Sequence, residues 1–328
     1  MTENIKYDKP FLDFDEQIEK LKNNYNLIIP NPYNAKLLLK DISYYDLING
    51  YKDCFMTDNK YDGTLTIEDL YYFLKYDKNI QSILLKYAIY VENKFKNILA
   101  YVLSSKYGVD VDLYLNPKNF KNKGYKINGT INDINCKIKN NKYPNPTKHY
   151  KRNHNHVPAW ILLRNLTFNQ TIDIYNNLYV ENKKEVIKLI SNDLYNNKDS
   201  ISIFKNSIII VRKFRNTIAH NYDFINERTR EKIIRHQLKD SKYKNLITYK
   251  DYKTNLPDNG PYSMIIAISL ILDNYELLTN FYQELANAMY VQSTNPNMYL
   301  DIFETYCNIS GIPSNIVERF ANQLNILG

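Results

Sequence analysis

The stretch TIEDLYYFLKYDKNIQSILLKYAIYVENKFKNILAYV, residues 66–102, decides the fold class of this chain. Thr66 followed three residues later by Asp69 is the pattern of a helix N-cap and its partner. Apolar residues then recur every three or four positions, with occasional gaps of six or seven, which is the period of one helix face. Gly108 marks the last position at which this helix can end. The apolar face comprises Leu70, Phe73, Leu74, Ile80, Leu84, Tyr87, Val91, Phe95, Ile98 and Val102.

The helical period recurs along nearly the whole chain, and strands do not alternate with helices, so the sequence predicts an all-α protein. A short strand over residues 246–249 and a short helix after Thr130 are alternative elements. We expect one large helical domain over residues 9–235, with residues 117–156 as a long basic loop insertion. A C-terminal helical extension over residues 236–328 is expected to pack on it. Further predicted helices cover residues 13–24, a stretch from 32, then 43–55, 158–166, 171–195, 200–220, 226–238, 262–292 and 314–326.

Composition indicates a folded cytoplasmic protein. Hydrophobic residues make up 44% and charged residues 24% of the 328 positions, which is typical of a globular chain. The three cysteines lie far apart and form no CxxC pair, which argues against a disulfide framework or a zinc knuckle. The first residues are polar, unlike a signal peptide. The longest apolar run, residues 264–272, is too short to cross a bilayer, so no membrane partner is expected.

Positive charge is concentrated in one segment. Residues 117–156 contain ten Lys and Arg residues and a single acid, Asp133. This segment alone accounts for the net charge of +8, and the rest of the chain is close to neutral. A local excess of one sign is typical of a surface that binds a polyanion.

Aromatic residues alternate with these basic residues, a mixture suited to neutralising phosphates while exposed bases stack on rings. The sequence therefore predicts that this segment binds RNA. A solvated lysine-rich loop without a ligand is the alternative. The candidate RNA-binding residues are Lys118, Lys121, Lys123, Lys126, Lys137, Lys139, Lys142, Tyr143, Lys148, Tyr150, Lys151 and Arg152.

A cluster of histidines, His149, His154 and His156, lies beside Arg152 in the same segment. No Cys, Asp or Glu within this run completes a metal site, and a cationic surrounding repels a metal ion. We therefore expect these histidines to contact RNA or solvent, and we predict no metal site.

One charged residue interrupts the apolar face of the predicted helix 200–220. Arg215 stands where the stripe formed by Ile208, Val211 and Ile218 would place an apolar side chain. A guanidinium among core positions is costly unless it is paired or faces a cleft. His220 follows at the expected end of the helix, about 140° around the axis from Arg215. Arg215 could instead pair with a core carboxylate, and His220 could cap the helix with Asn221 in the left-handed conformation.

The hexapeptide Arg215-Asn216-Thr217-Ile218-Ala219-His220 resembles the Arg-polar-x-x-x-His signature of HEPN-type ribonucleases. Other stretches resemble the Abi_2 family of abortive-infection proteins, of the AbiD/AbiF type, and the ordered set spans roughly residues 9–230. These stretches are Lys9-Pro10-Phe11-Leu12 with Asp15-Glu16-Gln17-Ile18, Tyr44-Tyr45 with Asn49-Gly50-Tyr51, and Pro158-Ala159-Trp160 with Leu166-Thr167-Phe168.

The resemblance implies a HEPN-like helical domain that cleaves RNA without a metal or other cofactor. Arg215, Asn216 and His220 are the catalytic residues it implies. His220 would transfer protons, Arg215 would bind the phosphoryl oxygens, and Asn216 would orient one of them. Such sites often form where two helical units meet, so a second copy of this chain, forming a homodimer, is an additional candidate partner. The chain departs from the family pattern after the histidine, where Asn221-Tyr222-Asp223 stands instead of a basic residue.

Three functions follow from these observations. The first is a growth-arresting ribonuclease of a phage-defence system. The second is a non-catalytic RNA-binding protein that associates with a structured noncoding RNA encoded nearby, which could act as an antitoxin. The third is a helical scaffold that binds only proteins, which the charge of residues 117–156 disfavours.

Overall fold

The computed structural model describes residues 8–121, 125–239, 241–253, 259–290 and 300–327. These residues form α-helices and no β-strand, apart from isolated bridges, so the all-α prediction is confirmed. The helices are α1 (Phe14–Asn23), α2 (Pro32–Asp41), α3 (Lys52–Phe55), α4 (Ile67–Tyr107), α5 (Val111–Tyr114), α6 (Tyr125–Lys139), α7 (Thr147–Asn153), α8 (Ala159–Asn165), α9 (Phe168–Asn177), α10 (Val180–Ile190), α11 (Asn192–Tyr195), α12 (Ser200–Ala219), α13 (Arg235–Leu238), α14 (Tyr249–Lys253), α15 (Pro261–Leu272), α16 (Tyr275–Tyr290), α17 (Ile302–Ser310) and α18 (Ile316–Leu327).

Helix α4 has the limits that its sequence predicts. The Thr66 amide donates to the Asp69 carboxylate at 2.9 Å, and the Asp69 amide donates to the Thr66 hydroxyl at 3.0 Å, which satisfies free N–H groups of the first turn. All the predicted apolar positions are buried except Ile98, which is partly exposed. The helix ends at Gly108, whose φ of +97° is readily accessible only to glycine.

The chain forms two compact units. The first contains the described residues of the ranges 1–80 and 288–309. In its core the carboxylate of Asp77, which is 2% exposed, accepts hydrogen bonds from the hydroxyls of Tyr51 at 2.8 Å and Tyr306 at 3.0 Å. The Phe73 ring contacts both tyrosine rings. These hydrogen bonds satisfy a carboxylate that would otherwise be costly to bury.

The second unit contains the described residues of the ranges 81–287 and 310–328. Its centre is the packing of α12 against α15, a helix in which every residue is buried. An aromatic cluster of Phe95, Tyr175 and Phe204, with centroids 5.1–5.9 Å apart, joins α4, α9 and α12. The chain leaves α15 at Asp273, where a φ of 40° starts a turn into α16. One continuous helix was expected over residues 262–292.

Lys94 of α4 closes the ends of two other helices in this unit. Its ammonium donates to the carbonyl of Ile190 at 3.0 Å, at the end of α10, and to that of Ile271 at 2.9 Å, at the end of α15. A cation at a helix C-terminus neutralises the partial negative charge of the free carbonyls. Burial lowers the pKa of Lys94, although nearby Asp273 opposes that shift.

The described residues of 117–156 are mostly helical, and the prediction of a long loop is wrong. Helix α6 buries Ile127, Ile131 and Ile134, which lie on one face, and it packs on α9. The abundant Asn and Lys residues hide this apolar spacing in the sequence. Helix α7 follows, and the amide of Asn165 in α8 donates to the Pro144 carbonyl at 3.0 Å and the Thr147 hydroxyl at 2.8 Å.

Other predicted elements also differ from the structure. Residues 171–195 lie in three helices, α9 to α11, because the chain is extended at Leu178 and again at Ser191. Residues 226–234 are not helical, since Thr229 instead exchanges hydrogen bonds with Asn259 at 2.8–2.9 Å. Residues 244–253 form a 3-10 turn and α14 rather than a strand. Helix α17 had no clear sequence signal.

Candidate functional site

The end of α12 positions His220 through backbone hydrogen bonds. The amide of Tyr222 donates to the Thr217 carbonyl at 2.9 Å, and the amide of Asn221 donates to the Ile218 carbonyl at 3.1 Å. Asn221 has a φ of 55°, so the pair of bonds forms a Schellman motif with Asn in the left-handed position. His220 is therefore the C-cap residue, the structural role that the sequence allowed as the alternative to a catalytic one.

The imidazole of His220 is not used by this cap. The residue is exposed, and its ring lies at 32° to the ring of Tyr222 with centroids 5.7 Å apart. It makes no side-chain hydrogen bond within the described residues. A histidine whose two ring nitrogens are free can accept and donate protons to a ligand in solution.

Arg215 lies on α12 beside Glu92 of α4. The Arg215 Nε atom is 3.6 Å from Glu92 Oε2, too far for a hydrogen bond, and this buried Nε has no other hydrogen-bond partner in the described structure. One terminal nitrogen donates to the Asn216 side-chain oxygen at 3.0 Å. The Arg215 side chain nevertheless remains 34% exposed. Because guanidinium carries five N–H donors, several stay available to an anion.

Glu92 also pairs with Lys96, one turn further along α4. The Lys96 ammonium is 2.7 Å from Glu92 Oε1 and donates to the Leu166 carbonyl at 2.6 Å. The side chains of Glu92 and Lys96 are only 11% and 10% exposed. We call Glu92, Lys96 and Arg215 the charged cluster. It contains two cations and one anion, so it carries a surplus positive charge next to a partly exposed guanidinium.

Sequence reasoning missed Glu92 and Lys96. The only sequence signal is a Glu and a Lys four residues apart, immediately beside the buried positions Val91 and Phe95. That spacing also describes ordinary surface ion pairs on helices, so it could not single out a buried one. Arg215 was identified from the sequence, and pairing with a core carboxylate was the alternative to its catalytic role.

The basic residues of 117–156 fall into two groups. Some take part in contacts within the fold. Lys137 pairs with Asp133 at 2.7 Å, and the Lys151 ammonium donates to the carbonyls of Ile138 at 2.6 Å and Lys139 at 2.9 Å, closing the end of α6. Others have exposed side chains without an ion pair to any described residue: Lys118, Lys139, Lys142 and Arg152.

The remaining predicted RNA-binding residues differ in accessibility. Tyr143 is 7% exposed, and burial, with a smaller contribution from Asp133, raises its pKa to about 12, so its ring offers no surface for stacking. Tyr150 is partly exposed and stacks on His154 with centroids 4.5 Å apart. Lys148 is partly exposed, and the partly exposed Lys121 lies 6.0 Å from the Tyr179 ring centroid. Lys123 and the side chain of Lys126 lie outside the described residues.

Two of the three histidines of this segment border a groove of about 510 Å³. His154 and His156 line it with Lys139 and Lys151, and Asp110 and Asp112 line it too, so the two signs of charge are mixed there. Among the described residues, no three His, Cys, Asp or Glu side chains are arranged to hold a metal ion. No helix within the described ranges is long and apolar enough to cross a membrane.

Comparison with known proteins identifies a family. Searches of curated proteins and of solved structures gave no match. The family model of Abi-like proteins, Abi_2, matches residues 37–226, more than half of the chain. The match includes α4, residues 117–156, the charged cluster and the segment from Arg215 to His220. Membership in that family suggests abortive-infection defence against phage. The chain belongs to the Abi-like protein family.

Proposed function

We propose that this protein defends its cell against phage by cleaving RNA in the cytoplasm, with Arg215, Asn216 and His220 as the catalytic residues. One observation carries the proposal. The Arg215 Nε lies 3.6 Å from Glu92 Oε2 while part of the guanidinium stays exposed, and an exposed histidine follows at the end of the same helix. An imidazole can transfer protons and a guanidinium can stabilise developing negative charge, so the two groups together can support phosphodiester cleavage without a metal.

In the proposed reaction His220 takes the proton of the RNA 2′-hydroxyl. The 2′-oxygen then forms a bond to the adjacent phosphorus, and the bond from phosphorus to the 5′-oxygen breaks. Arg215 donates hydrogen bonds to the phosphoryl oxygens as negative charge develops on them. A protonated imidazole returns a proton to the leaving 5′-oxygen. The products carry a 2′,3′-cyclic phosphate and a 5′-hydroxyl, and a homodimer would supply a second His220 for the second transfer.

The basic segment supports the RNA part of the proposal. Lys118, Lys139, Lys142 and Arg152 present exposed positive charge, and neutralising phosphates with such residues supplies sequence-independent affinity. The same segment contacts α8 through α7 and Asn165. Lys96 in turn donates to the Leu166 carbonyl immediately after α8. Packed elements of one unit therefore connect the basic segment with the charged cluster.

A non-catalytic RNA-binding protein is the second candidate, and a specific observation favours it. Both residues of the pair also have structural roles: Arg215 lies beside Glu92, and His220 is the C-cap of α12. In this case the protein would bind a structured noncoding RNA without cleaving it. A change of His220 should abolish RNA cleavage if the first candidate is right, whereas the second candidate predicts no cleavage in either protein.

The deciding experiment compares His220→Ala and Arg215→Lys with matched controls. His236 and Arg230 are exposed residues of the same unit outside the site. His236→Ala therefore controls for the removal of an exposed histidine, and Arg230→Lys controls for the replacement of an exposed arginine by lysine. We expect His220→Ala to slow cleavage of labelled RNA by about 10²- to 10⁴-fold, the usual contribution of general acid–base catalysis. Arg215→Lys should also be severe, because an ammonium lacks the planar fork.

The products and the metal requirement are measured in the same assay. We expect 2′,3′-cyclic phosphate ends and no inhibition by EDTA. Cleavage that persists unchanged in folded His220→Ala and Arg215→Lys proteins contradicts the ribonuclease proposal. RNA binding without cleavage by the unaltered protein, in the presence or absence of a phage trigger, would support the second candidate instead.

A further inference from the structure

A cavity of about 400 Å³ lies between α4 and α8, next to the charged cluster. Its volume is within the usual range for small-ligand sites, about 300–1,000 Å³. The wall from α4 consists of Asn93, Lys96 and Asn97, and the wall from α8 consists of Trp160, Leu163 and Arg164. Lys96 belongs both to this wall and to the charged cluster, so the cavity and Arg215 are linked through Glu92.

The wall of the cavity from α8 contains the indole ring of Trp160. Trp160, the single tryptophan of the chain, is 46% exposed although it borders a cavity, and the adjacent Leu163 is buried. An exposed indole at the edge of a cavity offers an apolar face on which a planar ligand can stack. Rings in this setting stack on nucleobases, which all present a π-face.

The polar wall suits an anionic ligand with hydrogen-bonding edges. Lys96 and Arg164 are cations, and no carboxylate of the described residues lines the cavity. The Lys96 ammonium uses two of its three N–H donors, on Glu92 and on the Leu166 carbonyl. Arg164 is exposed and pairs with no described residue. Asn93 and Asn97 lie four residues apart on one face of α4, so their amides can donate to and accept from the same planar group.

We propose that this cavity binds one nucleotide of single-stranded RNA, with its base stacked on Trp160 and contacted by Asn93 and Asn97, and its phosphate beside Arg164. The proposal rests on the proposed RNA-directed function and deepens it by placing a binding subsite next to Arg215. Tyr101, which is 61% exposed, lies one helical turn after Asn97 on nearly the same face of α4 and offers a ring for the next base.

The single tryptophan makes binding directly measurable. Fluorescence of Trp160, excited at the red edge where tyrosine does not absorb, is followed while His220→Ala protein is titrated. This variant keeps the RNA intact if the chain is a nuclease. The probes are AMP, a tetra-adenylate RNA and an abasic ribose-phosphate tetramer. We expect saturable quenching by AMP, tighter saturable quenching by the RNA, and none by the abasic chain.

Substitutions test the assignment with labelled tetra-adenylate and fluorescence anisotropy. Stacking on a ring contributes about 1–3 kcal/mol per base, so Trp160→Leu should weaken binding by about 5-fold to 150-fold, while Trp160→Phe should retain most of the affinity. Arg164→Gln should weaken binding, and the matched control Arg230→Gln should not. Tyr101→Ala should weaken the binding of the tetra-adenylate and leave the affinity for AMP unchanged. These positions are exposed, and thermal unfolding checks that each variant is folded.

Unchanged affinity of Trp160→Leu, or quenching by the abasic chain equal to that by the RNA, overturns the assignment. Quenching by AMP that the tetramer cannot reproduce would show a free-nucleotide site and would likewise overturn the RNA subsite. The two proposals fail separately. If the chain does not cleave RNA but Trp160 fluorescence is still quenched, only the ribonuclease proposal is rejected. If the unaltered chain cleaves RNA but Trp160 fluorescence does not respond, only the binding subsite is rejected.

Discussion

The contacts within the charged cluster of Glu92, Lys96 and Arg215 predict how Glu92→Gln changes the stability of the protein. The substitution keeps the shape of the side chain and removes its negative charge. Lys96 and Arg215 would then remain as two cations without the acid that lies 2.7 Å and 3.6 Å from them. Removing one partner of a buried ion pair costs about 3–5 kcal/mol, because the other charge stays desolvated.

The exposed fractions of the Lys96 and Arg215 side chains decide which end of that range of energies applies. Lys96 is 10% exposed and is trapped, although it keeps its hydrogen bond to the Leu166 carbonyl. Arg215 is 34% exposed and can turn towards water, which relieves its share of the cost. We therefore expect Glu92→Gln to reduce the free energy of unfolding by about 3 kcal/mol. Urea denaturation with linear extrapolation measures this difference.

The chain offers a matched control in Asp133→Asn. Asp133 and Lys137 have the same spacing of four residues and the same 2.7 Å distance, but their side chains are 46% and 40% exposed. That substitution should cost less than about 1 kcal/mol. Adding Lys96→Met to Glu92→Gln should recover much of the loss, because it removes the trapped cation. Equal costs for Glu92→Gln and Asp133→Asn would refute the buried-charge reasoning.

Three further predictions concern the second unit. Lys151→Met should speed amide hydrogen exchange in the last turn of α6, since two carbonyls lose their donor; unchanged protection would contradict the capping role. Burial alone would raise the pKa of Asp251, but hydrogen bonds from Arg319 and Thr248 outweigh it and lower that pKa. The ionised Asp251 therefore adds stability above about pH 4, which is lost as the pH falls through the lower folded-state pKa. Urea unfolding at neutral and acidic pH should thus show a smaller acid-induced loss for Asp251→Asn than for the unaltered chain, and equal losses would contradict this. Alanine substitutions at Lys118, Lys139, Lys142 and Arg152 should make the affinity for single-stranded RNA less dependent on salt. The slope of log affinity against log salt concentration should flatten by about 0.7 for each phosphate that is no longer neutralised. The control is alanine at exposed lysines of the first unit, which should leave the slope unchanged: Lys40, Lys52, Lys60 and Lys75.

Helices with a strong apolar period were predictable from the sequence. Helix α4 has the predicted start, end and buried face, since its cap and stripe are local features that dominate any tertiary influence. Helix α6 was predicted only as a short helix after Thr130, because three isoleucines among Asn and Lys residues give a weak period. Its stability comes from packing on α9, which no local pattern reveals.

The sequence by itself determined the all-α class, the concentration of positive charge and the unusual position of Arg215 on an apolar face. Only the tertiary structure decided which carboxylate lies beside Arg215, which lysines cap helices and which stay exposed, and that Trp160 borders a cavity with Lys96. The physical reason is that charge and helical period are properties of neighbouring residues along the chain. Desolvation and pairing depend on residues far apart in sequence, as Glu92 and Arg215 are, which only folding brings into contact.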